Sequence, residues 1–288
     1  MPFDNHWEPL LQPGKATDIF AAPLPAHFDV DASDYSCVNA WWLAEISRLI
    51  YREGVEEVPH LAGSSRRQIL NSVQLEEVTF IHQPLAQCAI VTPLNAADPQ
   101  FVVLVFRGTH NLLDWLTDLE TAPVAWPPAP GLVHKGFRDA FASVADQIDR
   151  ALAPFVCPTF FTGHSLGAAL ATLAASRRPA RAVYTFGSPR VGDAQFLTTC
   201  GRTRFYRVVD SRDFVATMPP TVLGFAHLGE LHYMTRDGRF LVSPTDQQTD
   251  AEPSLHSWRH PAHLLKPPED LVDHSPINYV TRLRAALP

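Results

Sequence analysis

A serine lies at the centre of a short glycine-flanked motif, Gly163-His-Ser-Leu-Gly167, in a chain of 288 residues. The motif follows a strand-like run and precedes an alanine-rich run that is typical of a helix. In a strand–turn–helix unit of this kind the serine occupies a strained turn, and the glycines let strand and helix approach closely. The pattern therefore predicts that Ser165 is a nucleophile.

A serine hydroxyl at its ordinary pKa is a weak nucleophile, so an imidazole base and a carboxylate are expected further along the chain. Two carboxylates, Asp210 and Asp213, follow a strand-like run and lie within three residues of each other. Both belong to the predicted exit turn of the strand. The physics of the sequence leaves them as equal candidates for the acid.

Several histidines could supply the base, and we favour His274. It precedes Ser275 and Pro276, which suit the cap and first turn of a helix and would fix the loop that carries the imidazole. The alternatives that follow or flank the acid candidates are His227, His232, His256, His260 and His263. The first two are expected to be structural. The last three could suggest a metal site, but Pro261 interrupts the helix that would align them, so no metal and no organic cofactor are expected.

Two backbone amides are expected to stabilise the negative charge that develops on a carbonyl oxygen during nucleophilic attack. Leu166, directly after the nucleophile, is predicted to supply one of them. The other is expected in the loop after the apolar run 101–106, which is typical of a strand buried on both faces. In this loop Gly108 allows a sharp turn, and Thr109 can add a hydroxyl to its amide.

Within the segment 110–119, residues 111–119 contain an apolar stripe next to this loop and are predicted to form a short amphipathic helix. We interpret the segment as a mobile lid that covers the site and opens toward lipid, in preference to a helix packed on the core. The residues of the stripe that are assigned to the lid are Leu112, Leu113, Trp115 and Leu116.

The elements that must position these residues alternate between strand and helix along the chain. This alternation predicts an α/β fold with a mainly parallel sheet flanked by helices. We expect one domain over residues 1–288, and its first 36 residues are expected to form an irregular arm. Helices are predicted at 37–52, 136–152, 166–176, 194–199 and 276–286, strands at 77–81, 87–92, 101–106, 158–162, 181–186 and 203–209, and a hairpin at 231–235 and 239–242.

The composition excludes several classes of protein. A formal net charge of −7 argues against a nucleic-acid partner, because phosphate binding needs a concentrated basic surface. No run approaches the roughly 18 uncharged apolar residues that a transmembrane helix needs. The opening residues contain no visible secretory signal, which favours a soluble cytoplasmic protein over one that is exported by another route or has lost a leader. The sequence gives no indication of the oligomeric state.

Together the motifs resemble the class 3 lipases, the family of the fungal triacylglycerol lipases. The resemblance extends from about Asn39 to Tyr279 and implies an α/β-hydrolase fold with a short helical lid. It also implies that Asp213, and not Asp210, completes a triad with Ser165 and His274, and that Thr109 is the oxyanion residue. The blocks that carry it are Val105–Thr109, Asp114–Leu119, Val133–Phe137, Gly163–Gly167, Tyr184–Asp193 and His227–Glu230.

The resemblance implies a serine carboxylic-ester hydrolase that cleaves acylglycerols and other apolar esters through an acyl-enzyme, at a lipid–water interface. A second hypothesis is an esterase for feruloyl or other soluble esters, without activation at interfaces, because the core motifs do not distinguish the two. A third hypothesis, from a different class, is a catalytically silent lipid-binding relative.

Overall fold

The computed structural model describes residues 4–52, 65–109, 123–127, 129–245, 248–249 and 266–287. Within them eight strands form one sheet and two short strands form another. The strands are β1 (Leu75–His82), β2 (Gln87–Pro93), β3 (Val102–Phe106), β4 (Pro123–Ala125), β5 (Leu132–His134), β6 (Thr159–His164), β7 (Ala182–Phe186), β8 (Arg204–Asp210), β9 (Glu230–Met234) and β10 (Phe240–Val242).

The large sheet has the strand order β1-β2-β3-β6-β7-β8-β9-β10. Strands β3, β6, β7, β8 and β9 run parallel, whereas β1, β2 and β10 are antiparallel additions at the two edges. The predicted α/β fold with a mainly parallel sheet is therefore confirmed, and so is the hairpin, which β9 and β10 form. In a parallel sheet the carboxyl ends of neighbouring strands meet at one edge, where ligand sites of such folds are built.

Helices cover both faces of the sheet. They are α1 (Trp7–Leu11), α2 (Cys37–Leu49), α3 (Arg66–Ser72), α4 (Lys135–Ala142), α5 (Ala145–Leu152), α6 (Leu166–Arg177), α7 (Ala194–Leu197), α8 (Glu269–Val272) and α9 (Pro276–Ala285). Helices α4, α5 and α6 pack on the face that also buries Leu104 and Phe106. Helices α2 and α9 pack on the opposite face with Val103 and Val105. The fully buried strand β3 thus divides its side chains between two apolar cores, as its unbroken hydrophobic sequence predicts.

The predicted helix over 136–152 is in fact two helices, α4 and α5. The break lies at Ser143 and Val144, whose amides donate to carbonyls three residues earlier. The Ser143 hydroxyl also donates to the Ala140 carbonyl at 2.6 Å. Side-chain to backbone bonds of this kind compete with the helical hydrogen-bond pattern, and the apolar periodicity did not show this local competition.

The arm over 1–36 is not wholly irregular, because it contains helix α1. Leu10 of this helix is buried in the core beside α4–α6. The arm is also attached to the last helix, since Asp4 and Asn278 exchange hydrogen bonds of 3.0 and 2.9 Å between backbone and side chain. Helix α3, with its capping box of Ser65 and Gln68, was not predicted either. None of the helices in the described ranges is long and apolar enough to cross a bilayer.

Candidate active site

Ser165 occupies the turn between β6 and α6, with φ 60° and ψ −128°. A positive φ is strained for a residue with a side chain, and it persists only where the surroundings enforce it. Here two close approaches enforce it. A Cβ on Gly163 would lie 2.3 Å from backbone atoms of Gly167, and a Cβ on Gly167 would lie 2.3 Å from the Phe106 carbonyl oxygen. The two glycines of the motif are therefore required by packing between strand and helix.

The Ser165 hydroxyl is buried, and its Oγ has no hydrogen-bond partner among the residues that the structure describes. The backbone is nevertheless fixed, because the Ser165 amide donates to the Phe186 carbonyl of β7 at 3.0 Å. A buried hydroxyl without a partner is costly in a purely structural role. The Ser165 hydroxyl is therefore available to a group that enters the site.

Asp213 and His274 form a buried pair next to this turn. The Nδ1 atom of His274 lies 2.9 and 2.8 Å from the two carboxylate oxygens of Asp213, and each residue is 1% exposed. Because the carboxylate accepts, Nδ1 carries the proton and Nε2 of the neutral ring is an acceptor. That Nε2 atom has no partner among the described residues. The ring therefore presents a free lone pair, as a general base requires.

Asp210, the competing acid, has a different partner. It is fully buried, and its Oδ1 lies 2.6 Å from Nε of Arg282. Burial raises the pKa of this carboxyl well above its ordinary value, and the Arg282 guanidinium opposes the shift. The turn after β8, in which the Asp213 amide donates to the Asp210 carbonyl, separates the two side chains. The structure thus brings Asp213, and not Asp210, to His274.

Two residues around Asp213 were missed by sequence reasoning. The Tyr279 hydroxyl donates to Oδ2 of Asp213 at 2.6 Å and accepts from the Asp210 amide at 3.1 Å. Burial and the two neighbouring carboxylates raise the pKa of Tyr279, so its hydroxyl stays a donor. Gly187, with φ +57°, leaves room for the pair, because a Cβ there would lie 2.6 Å from Oδ2 of Asp213. Nothing in the sequence around a tyrosine in a helix or a glycine at the end of a strand indicates these roles.

The two residues expected to stabilise an oxyanion lie at neighbouring strand ends. Phe106, the last residue of β3, pairs with Gly163 of β6, so the loop that contains Thr109 starts beside the nucleophile turn. Leu166 is the first residue of α6, where backbone amides lack helical acceptors. The lid residues Leu112, Leu113, Trp115 and Leu116 lie outside the described residues.

The remaining histidine candidates do not join this site. His227 donates from Nε2 to the Ala216 carbonyl at 2.7 Å, and His232 stacks on Tyr35 with ring centroids 3.6 Å apart. Both have structural partners, as expected. His256, His260 and His263 lie outside the described residues, within which no cluster of three or more histidine, cysteine or acidic side chains could hold a metal ion.

Residues 103–223 match the model of a family described as lipase (class 3). A lipase from Rhizomucor miehei is 37% identical over 151 residues, which cover 46% of this chain and 42% of the relative. A secreted mono- and diacylglycerol lipase 1 from Fusarium solani is 36% identical over 146 residues, with coverages of 46% and 44%. The matched segment thus spans less than half the length of these two curated relatives.

The solved structure of a mutant of MDLA from Penicillium cyclopium superimposes with a TM-score of 0.56 over 93% of this chain and 94% of that one. The two sequences are 18% identical, so this likeness concerns the fold. The matched family segment contains the turn at Ser165, the strand ends on either side of it, and Asp213.

Proposed function

We propose that this chain, whose residues 103–223 match the class 3 lipase family, is a serine hydrolase of carboxylic esters with apolar acyl groups, including acylglycerols. One observation carries the proposal. Two buried groups without partners among the described residues, Ser165 Oγ and His274 Nε2, occur together with a carboxylate that holds the other nitrogen of the same imidazole. This set of donors and acceptors suits proton transfer from serine to histidine.

In the proposed mechanism, Oγ of Ser165 attacks the ester carbonyl carbon while His274 Nε2 takes the hydroxyl proton. The carbonyl oxygen becomes an anion that accepts hydrogen bonds from the amides of Leu166 and Thr109. The imidazolium, stabilised by Asp213, then protonates the leaving alcohol as the carbon–oxygen bond breaks, and an acyl-enzyme remains. Water repeats the sequence and releases the acid. The steps use only these side chains, two amides and water.

The names of the relatives support the substrate class, since both are lipases and one is named for mono- and diacylglycerols. We propose that the substrate is met at a lipid–water interface and that the segment 110–119 is the lid. Hydrolysis of tributyrin should then rise sharply above its solubility limit. A smooth saturation curve without such a rise would instead indicate an esterase for soluble esters.

The nucleophile is tested with Ser165→Ala on p-nitrophenyl butyrate. Because the triad acts as a unit, kcat should fall by about 10⁴-fold or more. The matched control is Ser72→Ala, the same change at an exposed serine at the end of α3, which should retain the parent rate. Covalent labelling by an organophosphonate should occur in the parent and be absent in Ser165→Ala. A labelled and active Ser165→Ala variant would refute the mechanism.

A further inference from the structure

His164, the residue before the nucleophile, uses both nitrogens of its buried ring. Its Nε2 lies 2.8 Å from the backbone carbonyl oxygen of His274, and its Nδ1 lies 2.9 Å from the hydroxyl of Tyr51. The ring also lies beside that of His274, with centroids 4.4 Å apart. His164 therefore contacts the proposed base through the backbone and the ring face, in addition to the contact of Asp213 with Nδ1.

The direction of these hydrogen bonds follows from the chemistry of the groups. A carbonyl oxygen only accepts, so Nε2 of His164 must carry a proton. Burial lowers the pKa of His164 well below its ordinary value, with His274 as a smaller cause, so the ring is neutral. Its Nδ1 is then an acceptor, and the Tyr51 hydroxyl donates to it.

The Tyr51 hydroxyl also reaches the loop on the other side of the nucleophile. The Gly108 amide donates to this hydroxyl, and burial raises the pKa of Tyr51, so it keeps its proton. The contact is tight, because a Cβ on Gly108 would lie 1.8 Å from the Tyr51 oxygen. Donors and acceptors thus run in one direction from Gly108 through Tyr51 and His164 to His274, and hydrogen bonds aligned in this way strengthen one another.

We propose that Tyr51 and His164 are positioning residues that hold the backbone of the base and the loop of the oxyanion residue in a fixed spatial relation. The proposal rests on the proposed function of the site. Asp213 orients the imidazole of His274, but it does not determine where the backbone of that loop residue lies. A displacement of about 1 Å at a reacting group can cost about a hundredfold in rate, so support of the backbone has a measurable effect.

The experiment compares His164→Gln with His164→Leu in hydrolysis of p-nitrophenyl butyrate. A glutamine amide can donate from near the position of Nε2, whereas leucine fills similar space without a donor. In His164→Leu, kcat should fall at least about tenfold while KM stays within about twofold, and His164→Gln should recover kcat to within about threefold of the parent. The matched control, His82→Leu, removes an exposed histidine on β1 and should leave both constants unchanged.

Tyr51→Phe provides a second variant that keeps the ring and removes only the hydroxyl. It leaves the Gly108 amide and Nδ1 of His164 without this partner, so kcat should fall several-fold at constant KM. This variant decides the question if a change at His164 prevents folding. Melting temperatures are recorded for all variants, because a role in packing alone would lower stability without a selective effect on kcat.

Three results would overturn the inference. These are a kcat in His164→Leu within twofold of the parent, an equal loss in the leucine and glutamine variants, and an unchanged kcat in Tyr51→Phe. If Ser165→Ala is inactive in the same assay, any of these three results would refute the positioning role alone, and the proposed function would still hold. A parent protein without hydrolytic activity, or an active Ser165→Ala, would refute the proposed function and the inference together.

Discussion

The turn that carries Ser165 and the loops that carry Asp213 and His274 are held by different forces. Around Ser165, packing dominates, since Gly163 and Gly167 are required by backbone contacts of 2.3 Å. Around Asp213 and His274, polar contacts dominate, with the Tyr279 hydroxyl and the Val215 amide donating to the carboxylate. The comparison indicates that the turn should be sensitive to added volume and insensitive to pH. The acid–base side should respond to changes of charge and hydrogen bonding.

The largest expected effect lies on the polar side and separates the two neighbouring aspartates. Asp213→Asn should lower kcat by about 10⁴-fold, because an amide cannot stabilise the imidazolium and favours the wrong tautomer. Asp210→Asn should keep most of kcat and lower the free energy of unfolding, since it removes the carboxylate that pairs with the partly buried Arg282. Steady-state kinetics and urea denaturation measure the two quantities. The reverse assignment of effects would identify Asp210 as the acid.

The packing side is tested by adding one methyl group. Gly163→Ala should lower the free energy of unfolding by about 3 kcal/mol or more, because backbone and not a flexible side chain blocks the new Cβ. The loss should be the same at pH 5 and pH 8. Gly201→Ala is the control, since its nearest obstacle is 3.5 Å away. Equal denaturation midpoints for the two variants would contradict the comparison.

A smaller effect, no more than about 3 kcal/mol, is expected from the titration of Asp273, which precedes the proposed base. Burial is the main cause that raises the pKa of this carboxyl to about 6, against the opposing bond from the Arg212 amide. The folded state therefore keeps this proton at a higher pH than the unfolded chain does. The contribution of protonated Asp273 to the free energy of unfolding is fully present below about pH 4 and is lost as pH rises through 6.

Asp273→Asn removes this titration and retains an acceptor for the Arg212 amide. Its free energy of unfolding should therefore decline less between pH 4 and pH 7 than that of the parent, as measured by urea denaturation at each pH. Titrating groups that do not interact with Asp273 cancel in the difference, whereas Asp210, whose pKa Asp273 raises, contributes in the same direction. Parallel pH profiles would show that Asp273 does not titrate in this way.

The sequence was sufficient to predict the sheet and the tight turn at Ser165, because both depend on local patterns. Alternating strands and helices imply a parallel sheet, and a serine between spaced glycines implies the turn. The choice between Asp210 and Asp213 was not available from the residues alone. It depends on the side chains that fold against each carboxylate, Arg282 in one case and His274 in the other.

The same limit applies to the polar contacts behind the site. Tyr279 lies in an apolar helix and Tyr51 lies just after one. The apolar periodicity of these helices predicts that the two side chains are buried, but it does not predict which group bonds to each hydroxyl. At the break after Ala142 a serine hydroxyl bonds to the backbone, a contact that the hydrophobic pattern does not show. Patterns of apolar residues indicate which faces are buried, whereas hydrogen-bond partners distant in sequence are set by the completed fold.

The register of the central strands also has a consequence for folding. His164 pairs with Phe186, and Phe186 pairs with Val208, so three successive strands must align before the loop of Asp213 lies beside Ser165. His274 joins them from 61 residues beyond Asp213, in the loop before the last helix. Contacts of such long sequence separation form slowly, because the intervening chain must first lose its freedom. Recovery of ester hydrolysis after dilution from urea would therefore report late assembly, and it should lag behind the return of helical circular dichroism.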